Sequence, residues 1–196
     1  MGDGKPGFIG DVAILGERIV AVGEFRTGKI RQRIDCRGMV VSPGFIDLHN
    51  HSDGPVTRRN TRAATNYLAQ GCTTIVTGNC GSGPIDVGSY LDKLDESGIG
   101  INVAHLLPQG ALRREVLQTQ RRKATATELE RMKKLADRAM LDGAWGMSTG
   151  LIYVPSSYAD TRELIEIARV ISARKGLYVS HMRNEGTGLL DALGEA

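Results

Sequence analysis

The chain has 196 residues, 41% hydrophobic and 24% charged, with a formal net charge of +3. Its basic clusters at 58–60, 113–114 and 121–123 are scattered and lack the interleaved aromatics of a nucleic-acid surface, so they read as solvated faces. No apolar run approaches the ~18 residues that cross a bilayer, and the expectation is a soluble protein with neither nucleic acid nor membrane as partner.

Glycine is abundant: 25 residues, about 13% against a usual level of roughly 7%, many of them flanking apolar runs. This points to a fold with many tight junctions between elements. The three cysteines, Cys36, Cys72 and Cys80, form no short-spaced pair. The opening "MGDGKPGFIGD" lacks the basic and apolar regions of a secretory leader, so reduced thiols and a cytoplasmic location are expected.

In chain order, residues 11–44 carry short β-type runs, "DVAIL", "RIVAVG", "RQRIDC" and "MVVS", separated by turn residues. They predict the hairpins of a small sheet or sandwich. After Pro43-Gly44 the pattern changes to strand alternating with helix, which places a domain boundary between 1–44 and 45–196. The predicted strands are 45–51, 73–79, 101–108, 145–153 and 177–183. Between them, 61–71, 87–98, 125–143 and 160–176 read as helices, each closing on glycine. Thr125 and Glu128 stand in capping-box spacing, and Asp160 and Glu163 stand in a similar relation. Alternation through five nearly continuous apolar strands predicts a parallel α/β sheet covered on both faces. An open doubly wound sheet and a (β/α)₈ barrel both fit, although no G-x-G-x-x-G links a strand to a helix. Either architecture puts its site beyond the carboxyl ends of the strands.

Unusual polar residues collect there. The first strand runs into "HNH", and strand parity would aim His49 and His51 the same way. The second ends in "TGNCG" with Cys80, and the fifth in "SHMR" with His181. Cys80 taken alone would be a small buried hydrophobe, but the setting "GNCGSG" is a poor place for core packing. Thiolate and imidazole together favour zinc among common metals. His105, in mid-strand, reads as structural or as support for the site. Arg183 and Glu185 read as a mutual pair, and Asp47 as an orienting group or a turn anchor.

These stretches also carry a family resemblance. A small β-module followed by "PGFIDLHNHSD" resembles the amidohydrolase superfamily. "NYLAQGCTTIVTGNCGSGP", "NVAHLLPQGALR", "GAWGMSTGLIYVPSSYA" and "SHMRNEG" are similar to the N-acyl-D-amino-acid deacylases, or D-aminoacylases. The resemblance implies a (β/α)₈ TIM-type barrel, with about its first five βα units in this chain, preceded by part of a β-sandwich module. It implies zinc: a tight site with His181 as ligand, and a weaker second position held by His49 and His51. Cys80 would replace the carboxylated lysine that bridges two metals in many relatives. Tyr153 matches a tyrosine that faces substrate, while Gln109 stands where the related "PHGALR" has histidine. The implied reaction is hydrolysis of an N-acyl-D-amino acid to a D-amino acid and a carboxylate. The aspartate that serves as acid–base group follows an eighth strand and lies beyond residue 196, so no catalytic acid or base is assigned in this chain.

Two further readings follow. With five of eight strands visible, the first reading takes the 196 residues as a truncated fragment that is inactive alone and at most binds zinc. A dihydropyrimidinase-like cyclic amidohydrolase also has H-x-H after a β-module, but it would require a metal-bridging lysine on the fourth strand, where "WGMSTGLIY" has none.

Overall fold

The computed structural model describes residue 4, residues 6–25 and residues 28–196. The chain divides into two compact units, 1–44 and 45–196. In the first, β1 (Asp11–Leu15) and β2 (Arg18–Gly23) form an antiparallel hairpin whose register shifts between Ala13 and Ile14. The runs "RQRIDC" and "MVVS", predicted as strands, are irregular instead. Apolar β-type residues make a strand only where a second strand supplies the ladder, and among the described residues none pairs with them.

The second unit contains β3 (Phe45–Asp47), β4 (Cys72–Thr77), β5 (Asn102–His105), β6 (Leu107–Pro108), β7 (Gly146–Gly150) and β8 (Leu177–His181), all paired in parallel. Its strands lie in the orders β3-β4-β5 and β6-β7-β8. The predicted strand 101–108 is thus split at Leu106, where the chain changes neighbours. Leu106 N still donates to Thr77 O (3.0 Å) on one side, while Trp145 N donates to His105 O (2.9 Å) on the other. Neighbours in space are therefore neighbours in sequence, as successive βα units with crossover helices require.

The helices are α1 (Thr65–Leu68), α2 (Val87–Ser97), α3 (Gln109–Leu117), α4 (Ala126–Leu141), α5 (Thr161–Ala173) and α6 (Leu189–Glu195). The expected capping box is formed at α4: Glu128 N donates to Thr125 Oγ1, and Thr125 N donates to Glu128 Oε2 (2.8 Å). Asp160 caps α5 by accepting from Glu163 N (3.0 Å). Helix α3 has neither device, as its N-cap is Pro108 with no side-chain bond. It forms because Leu112 and Leu117 bury against Leu107, Met132, Met147 and Ile167, each such side chain contributing about 1.5–3 kcal/mol. A second core packs Ile75 of β4 and Ile101 beneath Tyr90 and Leu94 of α2. On the other face of the sheet, Val76, Ala104 and Leu106 cluster with Val179. Ser148 pairs in register with Val179 and so shares that face, and His181, two residues along β8, follows it to the carboxyl end.

Candidate metal centre

The strand β3 stops at Asp47, so His49 and His51 lie in the loop beyond it, and strand parity is not what brings them together. Local side-chain bonds shape this loop. Asp47 Oδ1 accepts from His49 N (3.1 Å), and Asn50 Oδ1 accepts from Ser52 N (3.1 Å). Asp47 is thus a turn anchor acting on the His49 backbone. The two imidazoles meet edge to face with centroids 5.6 Å apart.

After β4 the chain enters a tight turn at Asn79–Gly81 in which Cys80 takes φ 53° and ψ 31°. This left-handed conformation costs a non-glycine residue about 1–2 kcal/mol, so the surroundings must enforce it. They do so with backbone: a Cβ added at Gly150 would stand 2.0 Å from the Cys80 carbonyl oxygen. The glycine at the end of β7 is therefore the seat on which the cysteine turn rests.

The turn delivers Cys80 Sγ to 3.3 Å from His49 Nε2 and 3.6 Å from His181 Nδ1. Candidate ligand atoms of His49, His51 and Cys80 all lie within 4.8 Å of one another. Zinc with a sulfur at about 2.3 Å and a nitrogen at about 2.0–2.1 Å, tetrahedrally arranged, sets its ligand atoms about 3.5 Å apart. The two Cys80 separations bracket that value. His181 Nε2 is buried without a hydrogen-bond partner, although Glu185 Oε1 lies 3.3 Å away. It is His181 Nδ1 that faces Cys80 Sγ, and a thiol flanked by two imidazole nitrogens is a donor set that fits a bound cation. Burial pushes the Cys80 thiol up from its ordinary range, and the Glu185 charge adds to this. A metal taken up here displaces a proton from sulfur.

The sequence profile of the amidohydrolase family matches residues 32–194. The chain belongs to the amidohydrolase family. A D-aminoacylase of Alcaligenes xylosoxydans xylosoxydans is 38% identical over 99% of this chain and 44% of its own length. An N-acyl-D-aspartate deacylase of the same organism is 35% identical over all of the chain and 44% of its own length. Among solved structures, a D-aminoacylase superposes with a TM-score of 0.92 at 38% identity, covering 99% of this chain and 45% of that one. The N-acyl-D-glutamate deacylase of Bordetella bronchiseptica, complexed with zinc and a phosphonate inhibitor, gives 0.93 at 33% identity with the same coverage. The chain thus spans less than half the length of these relatives.

Around this candidate centre, the remaining polar residues divide into neighbours of the candidate ligands and parts of the frame. The Tyr153 ring is half exposed and lies edge-on to His181, with centroids 4.9 Å apart. His105 is fully buried: its Nε2 donates to Pro84 O (2.9 Å), and its Nδ1 accepts from Thr77 Oγ1 (2.8 Å). Both nitrogens are thereby engaged and the ring is neutral; burial holds its pKa below the ordinary histidine value. Arg183 does not pair with Glu185. Its guanidinium binds Glu195 (2.7 Å) and donates to Ser157 O and Ala159 O, so it ties the loop after β7 to α6. Gln109 is buried at the start of α3, donating to Glu163 Oε1 (2.9 Å) and accepting from Ser156 Oγ. Three residues absent from the sequence reading hold the cysteine turn. Asp53 Oδ1 accepts from Gly78 N (2.7 Å), Asn79 Nδ2 donates to Val76 O (2.8 Å), and Ser148 Oγ bonds both Gly78 O and Gly81 N. Asp53 adjoins the H-x-H motif and could have been suspected on that ground. Nothing in the local sequence marks Ser148.

Proposed function

We propose that the protein carrying this chain is a zinc-dependent hydrolase of N-acyl-D-amino acids, releasing a D-amino acid and a carboxylate. The placement of Cys80 Sγ between His49 and His181 carries the reading. Support comes from the similarity, along the whole chain, to a D-aminoacylase and to N-acyl-D-aspartate and N-acyl-D-glutamate deacylases. On this reading the parallel strands β3–β8, with β5 and β6 the two halves of one broken strand, belong to a (β/α)₈ barrel, with the centre at their carboxyl ends.

His49, His51, Cys80 and His181 would hold the metal, with one tight zinc and a weaker second position. The chemistry zinc would supply there is a lowered pKa for a bound water and Lewis-acid polarisation of the amide carbonyl. The chain's own part is to place these ligands and the substrate. Tyr153, beside His181, presents a hydroxyl-bearing ring to an incoming acyl-amino acid. The cysteine turn would offer Sγ as a ligand between His49 and His181. In the family this chain resembles, the proton for the leaving amine comes from an aspartate after the eighth strand, outside these residues.

The test is amine release from an N-acetyl-D-amino acid and its L enantiomer by the zinc-loaded protein as the cell makes it, beside Cys80→Ala. Hydrolysis of the D form, lost together with bound zinc in the variant, is expected. No turnover by a zinc-replete protein, or undiminished turnover by Cys80→Ala, overturns the reading. The dihydropyrimidinase-like alternative gains nothing from the geometry, because β7, Gly146–Gly150, offers no lysine.

A further inference from the structure

The turn that presents Cys80 is held from two directions by Ser148 and Asp53, the latter also 3.7 Å from His105 Nδ1. Ser148 is fully buried on β7. Its hydroxyl donates to Gly78 O and accepts from Gly81 N (3.0 Å), closing a brace across both ends of the tetrapeptide Gly78–Gly81. From the other side, Asp53 Oδ1 accepts from Gly78 N at 2.7 Å. Asp53 is two residues beyond His51, so this bond links the histidine loop directly to the cysteine turn. Gly78, Cys80 and Gly81 all have positive φ. For Cys80 that region is disfavoured, and the turn would relax if its ends were released.

The geometry points to Ser148 and Asp53 as a positioning clamp that sets Cys80 as a metal ligand and fixes its distance from His49 and His51. This rests on the reading of Cys80 as a ligand. The physical argument is one of fit. A bound zinc needs its ligand distances within about 0.2 Å of their usual values, and a supporting residue that loses its grip typically costs about 10–100-fold in affinity. Ser148 supplies one hydroxyl to two backbone groups, so its removal leaves a buried carbonyl and a buried N–H without partners at the two ends of the turn. Asp53 needs only an acceptor oxygen for Gly78 N, so asparagine at that position keeps the bond and alanine does not.

The test is titration of the purified metal-free protein with Zn2+, and with Co2+ to read the thiolate-to-cobalt charge-transfer band. Ser148→Ala and Asp53→Ala are each expected to weaken Zn2+ binding by about 10–100-fold and to alter the band at saturating Co2+. Asp53→Asn is expected to bind as the parent does. The thermal midpoint of each metal-free variant separates loss of the clamp from loss of the fold. Should Ser148→Ala fail to fold, the contrast between Asp53→Ala and Asp53→Asn decides. Parent-like affinity and an unchanged band in a folded Ser148→Ala, or in Asp53→Ala, overturn the clamp. Cys80→Ala keeps the two claims apart. If it binds metal like the parent, the ligand reading itself falls. If it does not, while the clamp variants do, only the clamp falls.

Discussion

At Gly150 a single missing methyl group decides whether the centre can exist. The cysteine turn lies directly against this residue, with the Cys80 carbonyl 2.0 Å from where a Cβ would be. Gly150→Ala is therefore expected to displace the turn and abolish high-affinity zinc binding. Gly194→Ala, with no atom within 4 Å of its Cβ, should bind zinc as the parent does; zinc content after dialysis against a weak chelator checks both. His105 supplies a pH dependence whose sign can be worked out. Its folded pKa lies below that of an unfolded histidine, about 6.5, because the ring is buried and neutral. Between the two values the unfolded chain binds the additional proton, so folding stability is full above about pH 6.5 and is lost as pH falls through that window. Denaturant unfolding of the metal-free protein from pH 7.5 to 5 should show this decline, and His105→Gln should flatten it.

Helices α3 and α5 and the loop after β7 are joined by one buried polar network. Arg113 and Glu163 are almost wholly inaccessible and paired, Gln109 shares the same carboxylate, and Ser156 reaches Gln109 from the loop. Arg113 also donates to Arg122 O at the end of the α3–α4 connection. Breaking such a pair from one side leaves an uncompensated charge, which costs about 3–5 kcal/mol. Arg113→Met should therefore destabilise the protein by about that much. Arg113→Met combined with Glu163→Leu should recover a large part, because no charge remains buried. Equilibrium unfolding of the parent, the single variant and the double variant checks this. Gln109 stands where relatives similar to this chain are expected to carry histidine. In this structure its amide serves the frame, bonded to Glu163 of α5 and to Ser156 in the loop that carries Tyr153.

For the molecule as a whole, the parallel order of the second unit leaves β3 and β8 with one sheet neighbour each among the described strands. Apolar side chains on them are exposed, Phe45 at 62% and Leu177 at 58%. Unpaired N–H and C=O groups beside exposed apolar side chains are a template for association. Prepared as the 196-residue polypeptide, the chain is expected to self-associate as its concentration rises, and Leu177→Lys should weaken that by about tenfold. Sedimentation velocity over a concentration series would show it. A monodisperse monomer throughout would mean that the edges are covered in another way.

Much of the frame could be read from residues close together in the chain. The α4 capping box, the Asp160 cap and the alternation that yields parallel strands are local in origin, and the structure has them where the spacing put them. Histidines and a glycine-flanked cysteine at strand ends were legible for the same reason, since a strand end is a local feature. Helix α3 and the break at Leu106 were not, because burial against Met132 and Met147 and a change of strand neighbours are long-range events. The unpaired fate of "RQRIDC" and "MVVS" was hidden likewise, as propensity cannot report a missing partner. By itself, then, the sequence determined which residue types could bind a metal and on which strand ends they sit. Only the tertiary structure decided how they face one another. The turn at Cys80 is set by Ser148 and Asp53, which lie 70 and 25 residues from the Gly78 they hold. A left-handed backbone at a non-glycine residue persists only where such distant groups enforce it.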